Sequence, residues 1–422
     1  MRILHTADLH LGQVLYQYYN RVDEHETFFN QLNKWCSTYK PDALLVSGDI
    51  FDIQQPSAAT KAFFNKSIAH LHKANPAMAI VVTAGNHDSG SRVEADSAMW
   101  ELADIKLTGH GPGTNEVAEG GWEDRFIVDT PQGFIASMPF MPSLRKEVMQ
   151  AVLDKIAMKN SDNRPVVLMA HASISGDEHI LPGDIGNVKS LSIKEMGTGY
   201  DYLALGHIHR SQTLGQDIEN EYSDKESTHP APVARYSGSP LHVSCDEQYP
   251  HSVSLVDIDH HQGQVTIKRL FIEQRRHFYI IPREDRPAAK SAEEIYSCVT
   301  DFCKTQKSGY IRLRIDASAA LPPDFTQKIY TILEATGNEV RYNPKIIFEN
   351  LPEIQDNTKT PKFEIAELQQ MENPLDFIEK TMINYSELNF EDIKKDFEEV
   401  EQELMKMAKK EDKEIVPPTS QN

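Results

Sequence analysis

Apolar and β-branched residues in the first half of the chain fall into short runs at Ile3–Thr6, Ala43–Val46, Ala79–Thr83, Phe134–Met138, Val166–Ala170 and Tyr202–Leu205. Between the first two, Phe28, Leu32, Trp35 and Tyr39 recur at helical spacing; after Pro56-Ser57, Phe64, Ile68 and Leu71 again share one helical face. Strand and helix patterns alternating in this way predict βαβ units and a sheet covered on its faces. Further runs at Ala234–Ser237, Ser252–Ile258 and Gln264–Leu270 predict a second sheet, the last two pairing across the turn Asp259–Gly263. Residues 1–276 are therefore expected to form an α/β sandwich of two β-sheets flanked by helices. Within it, residues 215–232 carry five acids and one Lys without periodicity, the mark of an exposed loop insertion.

The pattern restarts after Pro282–Pro287. Ser291 with Glu294 makes a capping-box signal for a helix running to about Lys304. Tyr310–Ile315 alternates apolar residues with Arg312 and Arg314, a half-buried strand, and is followed by a helical stretch over Phe325–Thr336 and strand-like Val340–Tyr342 and Ile346–Phe348. Residues 277–350 thus read as a small α+β capping domain and 351–372 as a polar linker. Over 373–410 the chain turns helical: Asn373-Pro374 is a good cap and first-position pair, and Phe390, Ile393, Phe397, Val400, Leu404 and Met407 form a stripe suited to docking on another helix. The tail, 411–422, is expected to be disordered.

Composition narrows the function classes. With 40% hydrophobic and 25% charged residues the balance is that of a globular protein, which excludes collagen-like and wholly disordered chains. Four scattered cysteines without a C-x-x-C pair exclude a disulfide framework and a zinc ribbon. Neither a signal peptide nor a transmembrane run is evident, so a soluble, cytoplasmic protein is expected. The net charge of −20 argues against a broad basic face for nucleic acid; any phosphate binding must rest on local charge, on metal ions or on a partner. No P-loop pattern occurs, so nucleotide hydrolysis would have to come from elsewhere.

The candidate chemistry sits where the strand runs end. Five of those ends deliver Asp8 and His10, then Asp49, then Asn86 and His87, then His171, then His207 and His209. In sheets of this kind ligands bind beyond the carboxyl ends of the strands, so residues far apart in sequence can converge. Imidazole, carboxylate and one amide oxygen suit borderline divalent ions better than calcium. Seven ligands (Asp8, His10, Asp49, Asn86, His171, His207 and His209) exceed the four of a structural zinc and point to two metals, which could clamp the attacking and departing oxygens of a phosphoryl displacement. Any one of the seventeen histidines is more simply a structural residue, and His70, His72, His229, His260 and His261 are read that way. The ordered set is not, because chance would need five coincidences at five strand ends.

Asp8-Leu9-His10, Gly48–Asp52, Gly85-Asn86-His87-Asp88, His171 and Gly206-His207-Ile208-His209 resemble, in order and spacing, the calcineurin-like metallophosphoesterase family. The opening MRILHTADLHLG, Ser47–Asp52 and Tyr236-Ser237-Gly238-Ser239-Pro240 are similar to the nuclease branch of that family. The resemblance implies that Asp8, His10, Asp49 and His209 hold one ion and that Asp49, Asn86, His171 and His207 hold the other, both most often manganese. It gives His87 a catalytic, phosphate-facing role. It implies hydrolysis of DNA at ends and hairpins, with a 3′→5′ double-strand exonuclease and a single-strand endonuclease activity in repair, recombination and replication. The partner would be a coiled-coil ATPase docked on the C-terminal helices, in a heterotetramer built on a homodimer associated with the nucleoid. Asp52 could orient His10 or His87, Asp88 is expected to cap the next helix, and the arginines at 275, 276, 312 and 314 could face nucleic acid or simply solvent. A small-substrate metallophosphatase or phosphodiesterase is the alternative, although Ile53 stands after Asp52 where phosphoprotein phosphatases with this signature carry Arg. A non-catalytic scaffold is a third reading; a missing ligand would favour it, and none is missing.

Overall fold

The computed structural model describes residues 1–16, 18–142, 146–175, 190–215, 223, 225–244, 247, 249–350 and 394–395. In chain order the main elements begin with β1 (Arg2–Thr6), α1 (Val22–Tyr39), β2 (Ala43–Ser47), α2 (Ala58–Ala74), β3 (Ala79–Thr83) and β4 (Ile105–Thr108). There follow β5 (Ile127–Thr130), β6 (Gly133–Ser137), α3 (Lys146–Lys159), β7 (Val166–His171), β8 (Tyr202–Gly206), β9 (Ser227–Pro230) and β10 (Val233–Tyr236). A long hairpin, β11 (Ser252–Asp259) and β12 (Gln264–Phe271), completes this part. Local signals explain the helix ends: Ser57 accepts from the Thr60 amide at 3.1 Å to open α2, and Lys40 closes α1 in the left-handed conformation.

Two sheets stack face to face. The first runs β9-β12-β11-β1-β2-β3-β4; the second runs β10-β8-β7-β6-β5, with the two-residue strand Gln212–Thr213 outside β10. Ile3, Leu45, Val81, Val167, Met169, Ala204 and Val256 fill the space between the sheets. Outside, α1 and α2 bury Phe28, Leu32, Phe64 and Ile68 against the first sheet, and α3 buries Val152 and Ile156 against the second. The two-sheet sandwich flanked by helices is thus present, but its strands are shared out differently from the sequence expectation. The later strands do not make a sheet of their own. β11 pairs antiparallel with β1 (Arg2↔Asp257), and β10 pairs parallel with β8 (Tyr202↔Val233). Strands β1 and β8 are buried on both faces, so each needs a partner at both edges to satisfy its backbone donors and acceptors. β4 and β5 were not expected at all. The supposed loop insertion carries β9 at its end, which pairs with β12 from Ser227↔Ile267 to Pro230↔Gln264.

Beyond β12 lies a three-stranded parallel sheet, β13 (Phe278–Ile281), β14 (Ser308–Asp316) and β15 (Glu339–Glu349), covered by α4 (Ala292–Thr305) and α5 (Phe325–Thr336). β15 is one strand with a register shift opposite Arg312–Arg314, rather than two. Ser291 caps α4 by accepting from the Glu294 amide at 3.2 Å. This unit packs on the sandwich through a polar seam, and Met1–Glu349 form one compact unit. In the seam Tyr310 Oη donates to Glu24 Oε2 at 2.9 Å, and Arg276 Nη2 donates to Asp23 (2.7 Å) and Glu339 (2.8 Å). Arg275 pairs with the same two acids. Arg314 is buried, donating to Glu349 and to the Arg283 and Arg286 carbonyls, and Arg312 Nε donates to the Lys345 carbonyl at 3.0 Å. All four arginines are therefore engaged in holding the fold.

The linker 351–372, the helical stretch 373–410 apart from the helical Lys394-Lys395, and the tail 411–422 lie outside the described residues. Among the described residues no helix is long and apolar enough to cross a membrane.

Candidate metal centre

The carboxyl ends of β1, β2 and β3 in one sheet meet those of β7 and β8 in the other, and the five loops leaving them interlock. The Asp8 amide donates to the Gly48 carbonyl at 3.0 Å, and the His10 amide to the Asp49 carbonyl at 3.1 Å. Asp8, His10, Asp49 and His207 all have positive φ (54°, 45°, 48° and 102°). Four non-glycine residues held in that sparsely populated region mark strain that the surrounding structure has to impose. Two glycines are needed for close approach: a Cβ on Gly206 would lie 1.8 Å from the Ser47 carbonyl oxygen, and one on Gly85 2.1 Å from Asp49 Oδ1.

All seven candidate ligands come together. His10 Nε2 and His209 Nε2 are 3.2 Å apart, with Asp8 completing a three-donor group. His171 Nε2 lies 3.4 Å from Asp49 Oδ2 and 3.0 Å from Asn86 Oδ1, which is itself 3.1 Å from His207 Nδ1. Asp49, His171 and His207 form a second three-donor group, and Asp49 is also 3.9 Å from His10, placing it between the two. Asp8, His10, Asp49, His171 and His207 are buried, Asn86 and His209 half-buried, and His87 exposed at the rim.

The donor set fits two divalent cations. Asp8 Oδ2 is buried without any hydrogen-bond partner, a costly state for a carboxylate oxygen unless a cation meets it. Two basic imidazole nitrogens facing each other at 3.2 Å likewise call for positive charge between them. Electrostatics agree. Burial works against charge on His171, but the Asp49 and Asp8 carboxylates outweigh it and lift the imidazole to about 9. Burial would raise the Asp49 carboxyl, yet His171 and His10 hold it below the ordinary range. His209 is raised too, against burial, by Glu247, Asp8 and Asp49. The pocket therefore collects positive charge.

Around the ligands, His171 Nδ1 donates to the Ser47 carbonyl at 2.9 Å, which leaves Nε2 for the centre. His87 contributes its amide to Asp49 Oδ1 (2.9 Å), and its Nδ1 faces the Asp52 carbonyl oxygen at 2.9 Å. The Asp52 carboxylate lies 3.3 Å from His10 Nδ1, so it addresses His10, while Asp52 meets His87 through its main-chain carbonyl. Asp88 does not cap the following helix, whose N-cap is Ser89. Its carboxylate accepts the amides of Ile50 (3.0 Å), Phe51 (2.9 Å) and Gly85 (2.8 Å), tying the loop after β2 to the loop after β3. Glu247, which the sequence reading passed over, accepts from His209 Nδ1 at 2.9 Å. It follows Asp246 in a stretch without hydrophobic periodicity to mark it, and its sequence cue is that it comes after the Tyr236–Pro240 segment.

The model of the calcineurin-like phosphoesterase family matches residues 1–211. Among curated proteins, the chain is 30% identical over 292 residues to the SbcD component of the SbcCD nuclease of Rhodobacter capsulatus, a match covering 61% of this chain and 66% of that one. Against the SbcD component of the Escherichia coli K12 SbcCD nuclease it is 26% identical, covering 60% and 65%. With the DNA double-strand break repair protein Mre11 of Saccharolobus solfataricus it shares 26% identity, over 51% of each chain. The chain thus spans just under two thirds of the length of the first two relatives.

Proposed function

The chain belongs to the calcineurin-like phosphoesterase family, and from that premise we propose that it is a metal-dependent DNA nuclease of the SbcD type. Its substrates would be phosphodiesters at double-strand ends and hairpins, cut by 3′→5′ exonuclease and single-strand endonuclease action in DNA repair. The observation that carries this reading is the convergence of seven donor side chains from five strand ends around an unpartnered Asp8 oxygen, with an exposed histidine beside them. The branch of the family is suggested by the SbcD and Mre11 relatives.

In this reading Asp8, His10, Asp49 and His209 hold one ion and Asp49, Asn86, His171 and His207 the other, manganese being the expected metal. Bound there, the two ions supply Lewis acidity for the scissile phosphate and acidity for its water nucleophile. The chain's own residues do the rest. Asp49 carries negative charge between the two positions and holds the His87 amide, which fixes the Asn86–His87 turn. With Nδ1 donating to the Asp52 carbonyl, His87 keeps Nε2 for the substrate, where it can stabilise the phosphoryl oxygens or protonate the departing one. The exposure of His87 suits a long polymeric substrate approaching from solvent. An SbcC-type coiled-coil ATPase would dock on residues 373–410, and two copies of this chain would pair within a cytoplasmic, nucleoid-associated heterotetramer; the acidic net charge of −20 suits a protein that leaves the grip on DNA to its partner.

The test is manganese-dependent cleavage of end-labelled duplex and single-stranded oligonucleotides, with His87→Ala as control and a chromogenic phosphomonoester in parallel. Cleavage of DNA that falls by about 10²–10⁴-fold in the variant, with little monoester turnover, is the expected result. Monoester turnover without DNA cleavage would replace the nuclease with a small-substrate phosphatase.

A further inference from the structure

Behind the metal centre lies a second, drier cluster of titratable groups. His242, Glu247 and His251 are all buried and together offer the donors of a metal site. Their hydrogen bonds show that they are already committed. His251 Nδ1 donates to the Ser239 carbonyl and His242 Nδ1 to the Glu247 carbonyl, each at 2.6 Å. His251 Nε2 then faces His242 Nδ1 at 3.0 Å, and the rings meet edge to face with centroids 4.2 Å apart. Burial keeps both imidazoles below the ordinary histidine range, so the pair is neutral and each tautomer is set. The pair acts as a wedge that pins the Ser239 and Glu247 carbonyls.

The Glu247 carboxylate faces outward from this wedge. Oε2 accepts the Val243 amide at 2.9 Å, and Oε1 accepts from His209 Nδ1 at 2.9 Å. Burial works to raise this carboxyl, but the hydrogen bond and charge of His209 overcome it and hold it low. The Tyr236–Pro240 segment braces the same histidine from its main-chain side. Gly238, at φ 78°, passes so near that a Cβ would sit 2.5 Å from the His209 carbonyl, and the Ser239 amide donates to that carbonyl at 3.0 Å.

We propose that Glu247 is a positioning residue for one of the two metal positions, that of Asp8, His10 and His209: it holds His209 as the Nδ1–H tautomer, with the Nε2 lone pair turned toward His10. The inference rests on the two-metal reading given above. A carboxylate behind a ligand imidazole raises its basicity and fixes its ring. At the other position, His171 is backed by the neutral Ser47 carbonyl. Glu247 therefore adds to the affinity of the position that His209 serves.

The experiment is calorimetric titration of the metal-free full-length chain with Mn²⁺, comparing wild type, Glu247→Gln and His209→Ala, with circular dichroism to confirm folding. A Gln offers one acceptor where two donors, Val243 N–H and His209 Nδ1–H, must be met. Wild type is expected to take up two equivalents. Glu247→Gln should weaken one of them by about 10–100-fold and leave the other unchanged. His209→Ala should remove that same equivalent. A folded Glu247→Gln chain that binds both equivalents with wild-type affinity, or both more weakly to the same degree, overturns the proposal. Should the variant not fold, ¹⁵N NMR of the wild-type His209 ring decides, since an Nε2-protonated tautomer is incompatible with the role assigned. A wild-type chain that takes up no Mn²⁺ overturns the two-metal reading itself, an outcome distinct from a failure of Glu247 alone.

Discussion

Replacing Asp88 should damage the protein through its backbone. The carboxylate is buried and accepts three main-chain amides from two loops that carry Asp49 and Asn86. Burial and the nearby Asp49 charge push its own pKa up to about 6, while the three amides work in the opposite direction. In Asp88→Ala all three donors lose their acceptor inside the protein; at about 1–3 kcal/mol for each unsatisfied buried donor, with partial relief from water and relaxation, the cost is about 3–6 kcal/mol. Asp88→Asn keeps one acceptor oxygen. Placed at the Oδ2 position it serves Ile50 and Gly85, leaving the Phe51 amide facing an NH₂ group, at a cost of about 1–3 kcal/mol. Urea unfolding followed by tryptophan fluorescence measures both, because Trp35, Trp100 and Trp122 all lie in the sandwich. A loss below about 1 kcal/mol for Asp88→Ala, or equal losses for the two variants, would refute the counting of amides.

Three further outcomes are expected. Gly206→Ala sets a Cβ 1.8 Å from the Ser47 carbonyl, so it should cost about 3 kcal/mol, at the upper end for overpacking, and should abolish Mn²⁺ uptake by displacing His207; thermal melts and calorimetry check both. His5, His25 and His251 are buried and neutral, with pKa values held down by burial to about 3, 4 and 3. Unfolded histidine binds a proton below about pH 6.5 and these three do not, so stability should fall as pH drops from 6.5 toward 4, by up to about 1.4 kcal/mol per pH unit for each; a melting temperature flat across that window refutes the assignment. Tyr310→Phe removes the hydroxyl that joins Glu24 and Arg341 in the seam between the sandwich and the three-stranded unit, and should cost about 1–2 kcal/mol in urea without altering Mn²⁺ affinity.

The candidate ligands were legible because each stands next to a strand end, and strand ends are visible in one-dimensional patterning. The partition of strands between sheets was not, because it depends on pairings such as Arg2 with Asp257 that no local window contains. β4 and β5 escaped notice for a different reason. Each is four residues long and is interrupted by a charged side chain, Lys106 or Asp129. Arg314 read as solvent-facing by alternation, yet carbonyls of the chain before α4 provide acceptors that let it be buried. Asp88 was misread because a carboxylate just ahead of a helix usually caps it; its true partners include amides about 38 positions earlier. Glu247 carries no signal except through the histidine it supports.

The placement of β1 has a consequence for biosynthesis. One edge of this strand is closed by β2 within the first 47 residues, but the other waits for β11, whose paired residues are 254–257. At ~5–20 residues per second, the ribosome takes roughly 10–40 s to bridge that gap. Throughout that interval the nascent chain exposes a hydrophobic strand with an unsatisfied edge, the kind of surface that recruits foreign strands. Newly made chains should therefore be clients of chaperones that bind extended apolar segments, and overexpression should trap them as aggregates before residue 257 has left the exit tunnel.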